Sequence, residues 1–97
     1  MGNLVNFTQY LLPDGRKRDV AIDVTPEIHA LAQIAIANGI RFECEVLTTG
    51  QVSITATDPD HGDIAVRVVP NGPAVVDAVD AVIREAADAF TSLESVQ

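Results

Sequence analysis

The sequence predicts an α+β fold, a two-layer ββαβββα domain in which a five-stranded antiparallel sheet in strand order 2-1-3-4-5 carries two helices on one face. Three observations predict it. Apolar residues recur at every second position through the middle of the chain, from Ile40 to Val46 and again from Val52 to Ala56. Two segments opened by proline, after Thr25 and after Gly72, have apolar residues at helical spacing instead. Turn-forming clusters at Pro13-Asp14-Gly15, Asn38-Gly39, Thr49-Gly50, Asp58 to Gly62 and Pro70 to Pro73, with the helix start at Thr25-Pro26, divide the chain into seven segments.

Leu4 to Leu12 and Lys17 to Val24 are rich in strand-favouring residues. Between them, Pro13 presets φ and Gly15 tolerates positive φ, which predicts a β-hairpin. Thr25 then suits a helix N-cap, Pro26 the first helical position, and Glu27 the positive end of the helix dipole. Ile28, Leu31, Ala32 and Ala35 make one apolar stripe, and Asn38-Gly39 offers the left-handed residue that ends helices.

From Ile40 the period drops to two. Ile40, Phe42, Cys44 and Val46 share one face, and Arg41, Glu43 and Glu45 the other. Val52, Ile54 and Ala56 alternate with Ser53, Thr55 and Thr57. Ile64, Val66 and Val68 alternate with Ala65 and Arg67. Short glycine-containing loops make these three strands a meander. Pro70 closes the last strand, and Pro73 opens a long helix to about Phe90 with Val76, Val79, Ile83, Ala86 and Phe90 as its stripe. Residues after about 91 are expected to fray.

Each central strand has one polar face, as an antiparallel sheet covered on one side requires. Both helices should therefore pack on the same side. A helix that returns the chain to the start of strand 2 would run strand 3 antiparallel to strand 1.

Ninety-seven residues, 47% of them hydrophobic, suffice for one domain and one core, residues 1–97. Fourteen acidic against six basic side chains give a net charge of −8, which repels nucleic-acid phosphates and anionic lipid but speeds encounter with a basic partner. Nucleic acid and membrane are not expected partners. The single cysteine, Cys44, cannot close an intrachain disulfide, and Met1 to Leu12 lacks the pattern of a secretory signal. A cytoplasmic location is expected. Met1-Gly2 invites a myristoylation reading, but Asn6 stands where that motif needs Ser or Thr.

The stretch with the most suggestive chemistry is Asp58-Pro59-Asp60-His61-Gly62-Asp63, in which three carboxylates and an imidazole could bind a cation. It departs from an EF-hand at Gly62, Asp63 and Val69, and Asp and Gly also favour turns for backbone reasons alone. Cys44, His29 and Asp23 could be combined as nucleophile, base and orienting group. The strand period instead places Cys44 among core residues, where it acts as a small hydrophobe. Arg16-Lys17-Arg18 carries half of the basic charge and could grip an acidic partner or orient self-association; the alternative is a solvated turn paired with Asp14 and Asp19. Asp77, Asp80, Glu85 and Asp88 give the last helix an acidic side that could imitate DNA, interrupted by Arg84 four residues after Asp80.

The polar sheet face is the preferred candidate surface. Asn6, Thr8, Tyr10, Arg41, Glu43, Glu45, Ser53, Thr55 and Arg67 should project from the side without helices. Of these, Tyr10, Thr8, Arg41, Glu43, Glu45, Thr55 and Arg67 are the expected protein interface. No complete catalytic constellation, glycine-rich phosphate loop or correctly spaced metal motif stands in the sequence, and neither cofactor nor enzymatic activity is expected. The function expected is that of a small acidic protein-interaction or regulatory module that forms homodimers through the sheet face or an edge strand. The alternatives are a metal-dependent binder or enzyme built on the Asp58 to Asp63 loop, and a DNA mimic that binds a DNA-binding protein.

Overall fold

The computed structural model describes residues 3–11 and 16–95. The elements are β1 (Asn3–Leu11), β2 (Arg16–Val24), α1 (Pro26–Ala37), β3 (Arg41–Val46), β4 (Gln51–Asp58), β5 (Gly62–Pro70) and α2 (Ala74–Ser95). The fold is α+β, and its sheet has the expected order β2-β1-β3-β4-β5. β1 and β2 pair antiparallel from Asn3↔Val24 to Leu11↔Arg16, while the turn at Pro13-Asp14-Gly15 lies outside the described residues.

The sheet is mixed rather than wholly antiparallel, because β1 and β3 run parallel, with Thr8 opposite Glu43 and Leu11 opposite Val46. The reason lies in the path of α1. β2 finishes at Val24 beside Asn3, and a β3 parallel to β1 must set out from that same end of the sheet. The twelve residues of α1, about 18 Å of helix, carry the chain sideways past β1 instead of back along β2.

Both ends of α1 follow the local chemistry. Thr25 Oγ1 accepts from the Ile28 backbone N–H at 3.2 Å and Pro26 begins the helix. At the other end Asn38 donates from its side chain to the Ile34 carbonyl at 2.8 Å, and Gly39 adopts φ +88°, which lets Ile40 donate back to the Ala35 carbonyl. The chain thereby turns straight into β3.

The core lies between the sheet and the helices. Val5 and Phe7 of β1, Phe42 and Cys44 of β3, and Val52, Ile54 and Ala56 of β4 meet Ile28, Ala32 and Ala35 of α1 and Ala78, Val79, Val82, Ile83 and Ala86 of α2. Phe7 and Phe42 pack with ring centroids 5.3 Å apart at its centre. The buried stripe of α2 takes two residues per turn, Ala78/Val79, Val82/Ile83 and Ala86/Ala87, because this helix packs on α1, β4 and β5 together. Its start is centred on Val75, which packs against the core; Val76, expected to be buried, is 59% exposed. α2 also continues to Ser95, since neither Gly nor Pro follows Phe90 to stop it.

The last strand has the opposite phase from the one expected. Between Ala56 and Thr57 the β4–β5 ladder slips: Ala56 faces Ala65 while Thr57 faces Asp63, and Ile64 is the extra residue of a β-bulge. Beyond it Ala65, Arg67 and Val69 lie on the helix side, opposite Ala56, Ile54 and Val52. Val66 and Val68 lie on the uncovered side, opposite Thr55 and Ser53.

Candidate interaction face

The uncovered side of the sheet is built by the alternation of its five strands. Phe7, Phe42 and Ile54 point to the core, so their neighbours point away. Directly opposed residues share a face, and the register places Lys17 beside Tyr10, Asp19 beside Thr8, and Asp23 beside Leu4. On the far side Glu43 opposes Thr55, Glu45 opposes Ser53, and Arg41 opposes Thr57. Thr8, Tyr10, Arg41, Glu43, Glu45 and Thr55 are thus brought to one surface.

Arg67 is not part of it. The bulge turns Arg67 to the helix side, where its guanidinium pairs with Glu85 of α2. A long basic side chain can lay its stem along an apolar edge and keep its charge at the rim, so the charge of Arg67 was compatible with either face. The run Ile64-Ala65-Val66-Arg67-Val68-Val69 fits both phases, and only pairing with β4 chooses between them.

Glu43 organises the centre of the face. Its Oε2 accepts from the Tyr10 hydroxyl at 2.9 Å and its Oε1 from the Thr57 hydroxyl at 3.1 Å. Thr57 Oγ1 also lies 3.1 Å from Asp63 Oδ1. The hydrogen bond to the Glu43 carboxylate, joined by the repulsion between its charge and a phenolate, pushes the Tyr10 hydroxyl above its ordinary pKa. Leu4, Val66 and Val68 add exposed apolar surface, with Val66 at 42% and Val68 at 51%.

The other candidate groups are placed differently. Asp58 turns into its own loop, its Oδ1 accepting from the Asp60 backbone N–H at 2.9 Å and its Oδ2 lying 3.0 Å from His61 Nδ1. The backbone bond, followed by the one to His61, holds the Asp58 carboxyl below the ordinary range. Among the described residues no three His, Cys, Asp or Glu side chains gather to hold a metal ion. Cys44 is buried in the core and burial raises its thiol pKa, whereas Asp23 belongs to the uncovered face. The sheet therefore separates Cys44 from Asp23.

Arg84 reaches across to Glu27 of α1 at 3.3 Å instead of pairing along its own helix with Asp80. With Glu85 engaged by Arg67, the acidic side of α2 is broken at two adjacent positions. In the basic run, Arg18 Nε donates to Gln9 Oε1 at 2.8 Å, and the expected pairing partner Asp14 lies outside the described residues. An open cavity of about 240 Å³ sits where β2 gives way to α1, lined by Asp23, Val24, Thr25, Val76 and Asp80. No helix among the described residues is long and apolar enough to cross a membrane. No protein-family model, curated protein or solved structure matches the chain.

Proposed function

We propose that this chain is a small acidic, non-enzymatic protein-interaction module that associates with itself through its sheet. The observation that carries the reading is that both helices pack on one side of the sheet, leaving its outer strand β2 with no strand beyond it among the described residues and its other side uncovered. Val20, Ile22 and Val24 of β2 are only partly buried, so burial is still to be gained along that edge against the cost of association. Val66 and Val68 also stand exposed on the uncovered side. The Tyr10–Glu43–Thr57 bonds hold the polar part of the face in one geometry, which lowers the ordering cost of a contact there.

Light scattering across a concentration series tests the reading. The expected mass rises toward twice the monomer's 10.3 kDa. A strictly monomeric mass at about 1 mM, where even an association worth about −4 kcal/mol would be well advanced, overturns it.

A further inference from the structure

We infer that two copies of this chain join by antiparallel pairing of β2 with β2 about a two-fold axis at Val20, making one continuous ten-stranded sheet. The inference rests on self-association as proposed above and specifies the surface that carries it. β2 is an outer strand, with β1 on one side and no strand on the other among the described residues. Its nine residues pair with β1 in unbroken register, so the strand is regular over its whole length.

The sequence of β2 is complementary to itself when reversed. A two-fold axis at Val20, the middle of Arg16–Val24, sets Lys17 opposite Asp23 of the second copy, and Asp23 opposite the second copy's Lys17. Both residues are exposed and both project from the uncovered face, so the opposite charges meet twice at cross-strand distance. Asp19 falls opposite Ala21, Arg18 opposite Ile22 and Arg16 opposite Val24, so no like charges stand directly opposed.

The helix side matches as well. Val20, Ile22 and Val24 are only partly buried in the single chain, although Ile22 and Val24 already pack on the core. The second copy would lay the stems of Arg18 and Arg16 beside Ile22 and Val24, and Val20 against its own counterpart. Arg16 of the second copy would stand at the mouth of the cavity lined by Val24, Thr25 and Asp80.

The competing ways to join two copies lack this match. The bulge at Ile64 interrupts β5 and Pro70, which has no N–H, ends it; its regular stretch Ala65–Val69 is centred on Arg67 and would oppose that charge to itself. Stacking the uncovered faces would set Asp19, Asp23, Glu43, Glu45 and Asp63, against only Lys17 and Arg41, onto the same excess of negative charge. Directly opposed residues share a face, so edge pairing instead keeps the uncovered faces of both copies on the same side.

Charge reversal tests the register on the whole chain. Lys17→Asp and Asp23→Lys should each raise the dimer dissociation constant roughly tenfold or more, since each creates two like-charge oppositions. The double variant restores both pairs in reverse and should return the constant to within about threefold of wild type. Val20→Cys should give a disulfide-linked dimer on mild oxidation while Val66→Cys should not; buried Cys44 is present in both. A dimer unaffected by the single reversals, a folded double variant that stays dissociated, or cross-linking through Val66→Cys in place of Val20→Cys overturns the β2 pairing and leaves self-association standing. A monomeric wild type overturns both.

Discussion

The bulge at Ile64 reverses which residues of β5 are buried, and a pair of substitutions measures that reversal. Strict alternation from Ile64 would bury Val68 and expose Ala65. In the structure Ala65 is 5% exposed opposite buried Ala56, and Val68 is 51% exposed. Ala65→Asp places a carboxylate too short to reach solvent between the sheet and α2, at a cost of about 3 to 5 kcal/mol for an unpaired buried charge. Val68→Asp forfeits about half of a valine's burial, roughly 1 kcal/mol, with up to about 1 kcal/mol more from lost strand preference. Both variants add the same charge to an already acidic chain, so the general repulsion cancels between them. The gap of about 2 kcal/mol appears in urea unfolding, followed by circular dichroism, as midpoints about 2 M apart for an m-value near 1 kcal/mol/M. A lower midpoint for Val68→Asp than for Ala65→Asp refutes the bulged register and returns β5 to simple alternation.

Tyr10 is the only tyrosine in a chain without tryptophan, so its phenolate absorbance titrates cleanly; it should ionise above its ordinary pKa of 10.0, and Glu43→Gln should bring the transition down. Its folded pKa is raised, so the stability linked to Tyr10 is present below the unfolded value and lost as pH rises through the folded one; an unmoved transition in Glu43→Gln contradicts the bond between them. Asp58 has the opposite sign: its depressed pKa contributes stability above the unfolded carboxylate value that disappears as pH falls through the folded one. Melting temperatures from about pH 5 downward should therefore fall less steeply for Asp58→Asn than for wild type. Thr25→Ala removes the acceptor for the Ile28 N–H and should cost about 1 kcal/mol in the same urea assay, with Thr25→Ser retaining most of it.

The charges of the outer strand β2 bear on how this chain avoids indiscriminate association. β2 has Arg16, Lys17, Arg18 and Asp19 in its first half, a charge density that blunts pairing with most strands. It also admits one antiparallel register in which opposite charges meet. The net charge of −8 acts against close approach of two copies at low ionic strength, so salt has two opposing effects on a β2-paired dimer: it screens the repulsion between the bodies and weakens the Lys17–Asp23 attraction. Charge reversal at Lys17 and Asp23 separates these, because the double variant leaves the net charge unchanged.

Much of the fold was legible because local rules and long-range packing agree. Thr25-Pro26 marks the start of α1 and Asn38-Gly39 its end, since both ends depend on bonds within a few residues. The two-residue period from Ile40 to Val46 places Phe42 and Cys44 inside and Glu43 and Glu45 outside, because the sheet is covered on one side only. Most of the candidate face follows from that alternation alone. Sequence by itself therefore determined the element order, the strand order, the buried faces of the central strands and the six interface candidates that share one surface.

Tertiary structure decided three things that no local pattern encodes. The direction of β3 depends on which way α1 lies across the sheet, a matter of its packing on β1 and α2. The phase of β5 depends on one extra residue in its pairing with β4, and Ile64 to Val69 is apolar enough to accept either phase until that pairing exists. The inward face of α2 shifts from Val76 to Val75 because that helix must fit α1 and the sheet at once. In each case the deciding energy comes from surfaces far apart in the chain, and residues with equal local preferences are sorted only when those surfaces meet.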